Sequence, residues 1–114
     1  EQNAAVETDE REGLVAAYLE TLLPKNWEEM DLYERRTYLS EISDPMQPKG
    51  TEKRQTVSNM EIWCECFGQS KDSLKPFDSY AIAAIMMHFE DWEKTNQRVT
   101  SKIYGRQRIY QRKA

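Results

Sequence analysis

A chain of 114 residues and 13.5 kDa has room for one hydrophobic core and argues against a second domain. A mean hydropathy of −0.88 marks a polar chain, no apolar run approaches the roughly 20 residues of a membrane span, and 3 Trp, 6 Tyr and 3 Phe argue against simple disorder. The net charge of −4 divides unevenly: residues 1–92 hold 9 basic and 19 acidic side chains (−10), and residues 93–114 hold 7 basic and 1 acidic (+6).

Residues 1–8 are small and acidic and read as a flexible linker. The opening EQNAAVETDE lacks the apolar stretch of a signal peptide, and its first residue, Glu1, is what a fragment of a longer chain would show. The first predicted helix runs from about Asp9 to Leu23, with Asp9 as cap and Glu12 at the capping-box position. Leu14, Val15, Tyr18, Leu19, Leu22 and Leu23 recur along one face, and Pro24 stops it. A short turn carrying Trp27 and Met30 follows. Asp31 and Glu34 then form a capping pair for a second helix over Leu32 to Ile42, with Leu32, Leu39 and Ile42 inward.

Ser43–Gly50 holds two prolines and a glycine and reads as a loop. Thr51–Val57 suits a short extended segment. Ser58 caps a third helix with Glu61 three residues on, Val57 is placed to staple onto Ile62, and Met60, Trp63, Cys64 and Phe67 form its stripe. Gly68 is a suitable left-handed stop. Cys64 and Cys66 are the only cysteines; their C-x-C spacing on a helix suits neither a disulfide nor a four-ligand zinc site, so they read as small buried thiols in a reducing, cytoplasmic setting. The fourth helix starts near Asp78, with Phe77 and Ile82 at staple spacing, carries Ile82, Ile85, Met86 and Phe89 on one face, and ends near Trp92.

The tail RVTSKIYGRQRIYQR interleaves β-branched, aromatic and basic residues around Gly105 and predicts a β-hairpin. Arg106, Arg108, Tyr110 and Arg112 would share one face, and Gln107, Ile109 and Gln111 the other. The expected fold is therefore mainly α (α+β) and winged-helix-like, with a helical arm and first helix over residues 9–48 and a core over 49–114 that ends in the basic hairpin.

Three segments carry a family resemblance: LLPKNWEEMDLYERRTYL, EIWCECFG and YGRQRIYQR. From about Glu12 to Lys113 the chain resembles the C-terminal region of the virulence-associated protein E family, phage- and island-encoded proteins similar to primase/helicase-type P-loop ATPases. The resemblance implies a role in mobile-element DNA replication or transfer, an ATPase core lying upstream, and an accessory module here. The four glycines are scattered and no G-x-x-x-x-G-K-[ST] is present, so nucleotide hydrolysis is not assigned to this piece and it is expected not to be an enzyme.

Candidate chemistry concentrates in the tail. Arg98, Lys102, Arg106, Arg108 and Arg112 could neutralise DNA phosphates, and Tyr104 and Tyr110 could stack on bases or sugars. Set against this is a basic strand folded onto the acidic body, or a module that docks on its own ATPase core or on a replication partner through the Leu-rich first helix. The fourth helix has no Arg or Lys between Lys75 and Lys94, which argues against base-specific reading from it. The lone His88 has no partner that would suggest a metal, the carboxylates at Glu28, Glu29, Asp31 and Glu34 are explained by helix starts, and no cofactor is expected. Trp27, Trp63 and Trp92 are expected as core anchors.

Overall fold

Local capping sets where two of the helices begin. Asp31 Oδ1 accepts the Glu34 N–H at 2.8 Å while Glu34 Oε1 accepts the Asp31 N–H at 2.9 Å, which opens α2 (Leu32–Ser40). Ser58 and Glu61 close the same reciprocal pair at 3.1 and 2.9 Å and open α3 (Asn59–Glu61). The computed structural model describes residues 10–47 and 50–113; the expected linker and the Asp9 cap lie outside the described residues. Within them the architecture is α+β, and the remaining elements are α1 (Glu12–Glu20), α4 (Pro76–Met87), β1 (Thr56–Ser58), β2 (Trp92–Ser101) and β3 (Gly105–Arg112). No helix among the described residues is long and apolar enough to cross a membrane.

The strands form one antiparallel sheet in the order β1-β3-β2, so the short strand before α3 pairs with the last strand of the chain. Behind it, Val15, Tyr18 and Leu19 of α1 share one core with Val57, Ile62, Trp63, Ile82, Ile85, Met86, Trp92 and Tyr110. The first helix is thus packed into the domain and does not stand apart as an arm. Leu23, Trp27 and Tyr38 make a smaller cluster, with Trp27 and Tyr38 edge to face at 5.9 Å. Trp27, Trp63 and Trp92 are all buried.

Several boundaries differ from the pattern-based expectation. Helix α1 is preceded by Arg11 and ends at Glu20, and Glu12 reaches across to His88 Nδ1 at 2.7 Å. Leu14 and Leu22, expected inside, are exposed. In α2 Leu32 and Leu39 pack against the core as expected, Arg35 and Tyr38 are buried more deeply, and Ile42 is exposed. Helix α4 starts at Pro76, whose missing N–H and fixed φ suit the first helical position. That start places Phe77 in the first turn and exposes it, so no staple to Ile82 forms. The helix ends at Met87 because Trp92 is taken into the sheet opposite Arg112.

The third helix departs most. After Glu61 the backbone widens into a π-helical turn, Ile62–Cys66, in which the Phe67 N–H bonds the Ile62 carbonyl at 3.0 Å. The wide turn buries four consecutive residues, Ile62, Trp63, Cys64 and Glu65, where a 3.6-residue period would have turned Glu65 outward. Gly68 follows with φ of 68°, the left-handed stop expected of it. Burial pushes the Cys64 thiol up and the Cys66 thiol to about 11, so both stay protonated at neutral pH.

Candidate nucleic-acid interface

The hairpin is held at its base and again at its turn, and between them the side chains of Arg98, Arg106 and Arg108 are exposed. In register, Trp92 faces Arg112, Lys94 faces Tyr110, Arg98 faces Arg108 and Thr100 faces Arg106. These partners share one face of the ribbon, as the alternation of strand side chains requires. Between Lys94 and Arg98 the register shifts. There the Thr95 hydroxyl donates to the Ile109 carbonyl at 2.7 Å and accepts the Gln97 N–H at 3.1 Å, replacing ladder bonds with side-chain ones.

That face has two halves. At the base, Tyr110 donates its hydroxyl to Asn59 Oδ1 at 2.7 Å and is buried. Arg112 is buried as well: its guanidinium lies 4.7 Å from the Trp92 ring and donates to the Arg54 carbonyl (2.7 Å), the Leu19 carbonyl (3.0 Å) and Glu20 Oε2 (3.1 Å). Towards the tip, Arg98, Arg106 and Arg108 are exposed and pair with no carboxylate among the described residues. Like charges directly across a ladder destabilise it, so the Arg98–Arg108 pair has no evident reason within the fold.

The turn is pinned. The Tyr104 hydroxyl donates to Glu65 Oε2 at 2.7 Å inside the core, and burial together with the Glu65 charge raises its pKa far above the ordinary range. Lys71 Nζ donates to the Ile103 carbonyl at 3.0 Å and Lys102 Nζ to the Glu29 carbonyl at 3.2 Å. The opposite face of the ribbon, with Val99, Ser101, Gln107 and Ile109, lines a small pocket with Glu28, Ser58 and Glu61. Towards the tip the neutral face therefore lies beside Glu28 and Glu61, while Arg98, Arg106 and Arg108 occupy the other face, where Arg108 borders α4.

Of the seven residues expected to contact nucleic acid, the structure gathers Arg98, Arg106 and Arg108 on one accessible surface and places Lys102 at the turn. Tyr104, Tyr110 and Arg112 are corrected to structural roles, because their polar tips are consumed by buried partners. Two further residues were not anticipated. Tyr80 of α4 and Lys94 of β2 line a cleft of about 170 Å³ together with Asn59, Ser79, Arg108 and Tyr110. The signal for Tyr80 was its position three residues after Phe77, off the buried stripe of α4. No family model and no curated protein matches the chain, and the functional reading rests on this geometry together with the sequence.

Proposed function

We propose that the chain is a non-catalytic DNA-binding or DNA-positioning module of winged-helix type. The observation that carries the reading is the exposed set Arg98, Arg106 and Arg108, with two like charges opposed across one ladder and no acidic partner among the described residues. Phosphates are the ligand that accounts for such a set, since guanidinium groups bind them bidentately. The winged-helix assignment draws on the order α2, β1, α3, α4, β2, β3 and on β1 pairing with β3 beside the terminal hairpin. The resemblance to the C-terminal region of the virulence-associated protein E family supplies the setting: an accessory module beside an upstream primase/helicase-type ATPase. Contacts would be to phosphates, with little base specificity, because α4 bears no Arg or Lys.

The test is binding of labelled DNA, single-stranded and duplex, by the 114-residue chain across a salt series. On duplex each phosphate contact contributes roughly −0.9 to the log–log slope. Replacing Arg98, Arg106 and Arg108 together by Ala should abolish binding while leaving thermal stability unchanged. Absence of binding to either form at low salt, or binding that survives the triple substitution, overturns the proposal.

A second reading, docking on the ATPase core or on a replication partner, is favoured by one observation. Leu14 of α1 and Leu22, two residues beyond its end, are 58% and 46% exposed. Leu14→Ser with Leu22→Ser would then weaken association with the longer protein and leave DNA binding intact.

A further inference from the structure

We infer that the nucleic acid taken by this module is single-stranded, with a base on Tyr80 and the phosphates along the cationic face of the hairpin. The inference rests on the DNA-binding reading above and narrows it.

The argument begins with the outer face of α4. Phe77, Tyr80, Ala84 and Met87 follow one another at spacings of three, four and three, and so share one stripe. They are exposed, with Phe77 at 78%, Tyr80 at 75% and Met87 at 83%. The opposite stripe, Ile82, Ile85 and Met86, is already buried in the core. A helix apolar on both faces is ordinarily buried on both. The only charged side chain within α4 is Asp78, and it is occupied in accepting the Lys75 N–H at 3.1 Å.

Such a face is ill-suited to a duplex. Reading the major groove needs donors and acceptors directed at base edges, and Phe77, Ala84 and Met87 have none. The faces of paired bases are also covered by their neighbours in the stack. In a single strand those faces are free, and exposed aromatic rings beside a positive groove are the surface that binds them. The cleft supplies both parts: Tyr80 on the α4 side and Lys94 and Arg108 on the hairpin side. From Arg108 the cations continue to Arg98 across the ladder and to Arg106 two residues along β3. That step is about 6.8 Å, comparable with the spacing of successive phosphates on an extended strand.

The experiment measures anisotropy of labelled oligodeoxyuridylate, oligouridylate and a DNA duplex of the same length, each titrated with the intact chain at several salt concentrations. Single strand should bind about ten-fold or more tightly than duplex, with a slope near −0.7 per phosphate contacted. Tyr80→Ala should weaken single-strand binding about ten-fold and duplex binding hardly at all, while Tyr80→Phe retains it. Tyr80 is exposed, so the fold should tolerate both changes. Preference for either single strand supports the inference, and the ratio of the two assigns the sugar. Equal or tighter binding of duplex, or indifference to Tyr80→Ala, overturns it while the broader DNA reading stands. Loss of all binding to the unmodified chain overturns both.

Discussion

Arg35 Nη1 donates to Glu65 Oε2 at 2.7 Å, with the two side chains 2% and 0% exposed. The same carboxylate accepts the Tyr18 and Tyr104 hydroxyls, each at 2.7 Å, so one buried acid ties the π-helical turn to α1, α2 and the hairpin turn. Arg35 is held further by the Trp27 carbonyl at 3.1 and 3.3 Å and lies over the Trp27 ring. This cluster positions the turn of the hairpin through Tyr104 and includes none of the exposed arginines.

Arg35→Met should therefore destabilise the fold by about 3–5 kcal/mol, because it leaves the Glu65 charge buried and without its cation. Tyr104→Phe should cost less, about 1–3 kcal/mol, since one acceptor site of Glu65 loses its donor. Urea denaturation of the purified variants measures both. A cost below about 1 kcal/mol for Arg35→Met would remove the cluster from the account of stability.

Glu61 carries a pH dependence of its own. Burial, reinforced by the nearby Glu65 charge and only partly offset by Arg54 and Arg35, raises its pKa to about 7. The folded state therefore holds a proton between about pH 4.5 and 7 that the unfolded chain releases. The Glu61 contribution to stability declines as pH rises through that window. In Glu61→Gln this decline should be absent, so the variant should gain on the parent by about 1–3 kcal/mol between pH 5 and pH 7.5. Unfolding midpoints at those two values decide it; parallel behaviour of parent and variant would refute the assignment.

Gly50 meets its neighbours too closely for any side chain. A Cβ there would lie 2.4 Å from the Leu22 carbonyl oxygen and 2.6 Å from the Tyr38 hydroxyl, which itself donates to that oxygen at 2.7 Å. Gly50→Ala should cost about 1–3 kcal/mol by overpacking and loosen the Leu23–Glu52 bridge. Thermal melts and amide exchange at Leu23 and Glu52 report both effects.

Arg106 and Arg112 share a face of β3 but should respond oppositely to alanine. Arg112→Ala removes three hydrogen bonds at 2.7–3.1 Å and a stacking contact from a buried site. It should lower stability by about 2–4 kcal/mol. Arg106→Ala should change stability by no more than about 0.5 kcal/mol and instead reduce the salt slope of DNA binding. Comparing melting with binding for the two variants separates structural from ligand-facing arginines.

The legible features were those whose partners lie within a few residues. The Asp31–Glu34 and Ser58–Glu61 pairs close over three residues, and the Gly68 stop is likewise local. Alternation also placed Arg106, Arg108, Tyr110 and Arg112 on one face of β3. Alternation carries no information on burial along a strand, however, and Tyr110 and Arg112 are buried while Arg106 and Arg108 are exposed. A phenol that could stack on a base looks the same in sequence as one bonded to Glu65 from 39 positions away. The burial of Glu65 was hidden by the π-helical turn, which breaks the period used to assign faces.

The sequence by itself determined that a +6 segment follows a −10 body and that the segment forms a hairpin around Gly105. Only the tertiary structure decided which way that charge faces. A shift of one residue in strand register would exchange the two faces of the ribbon. The register is held by long-range contacts: Arg112 on Glu20, Tyr110 on Asn59 and Tyr104 on Glu65. Those contacts turn Val99, Ser101 and Gln107 toward Glu28 and Glu61, leaving Arg98, Arg106 and Arg108 on the other side.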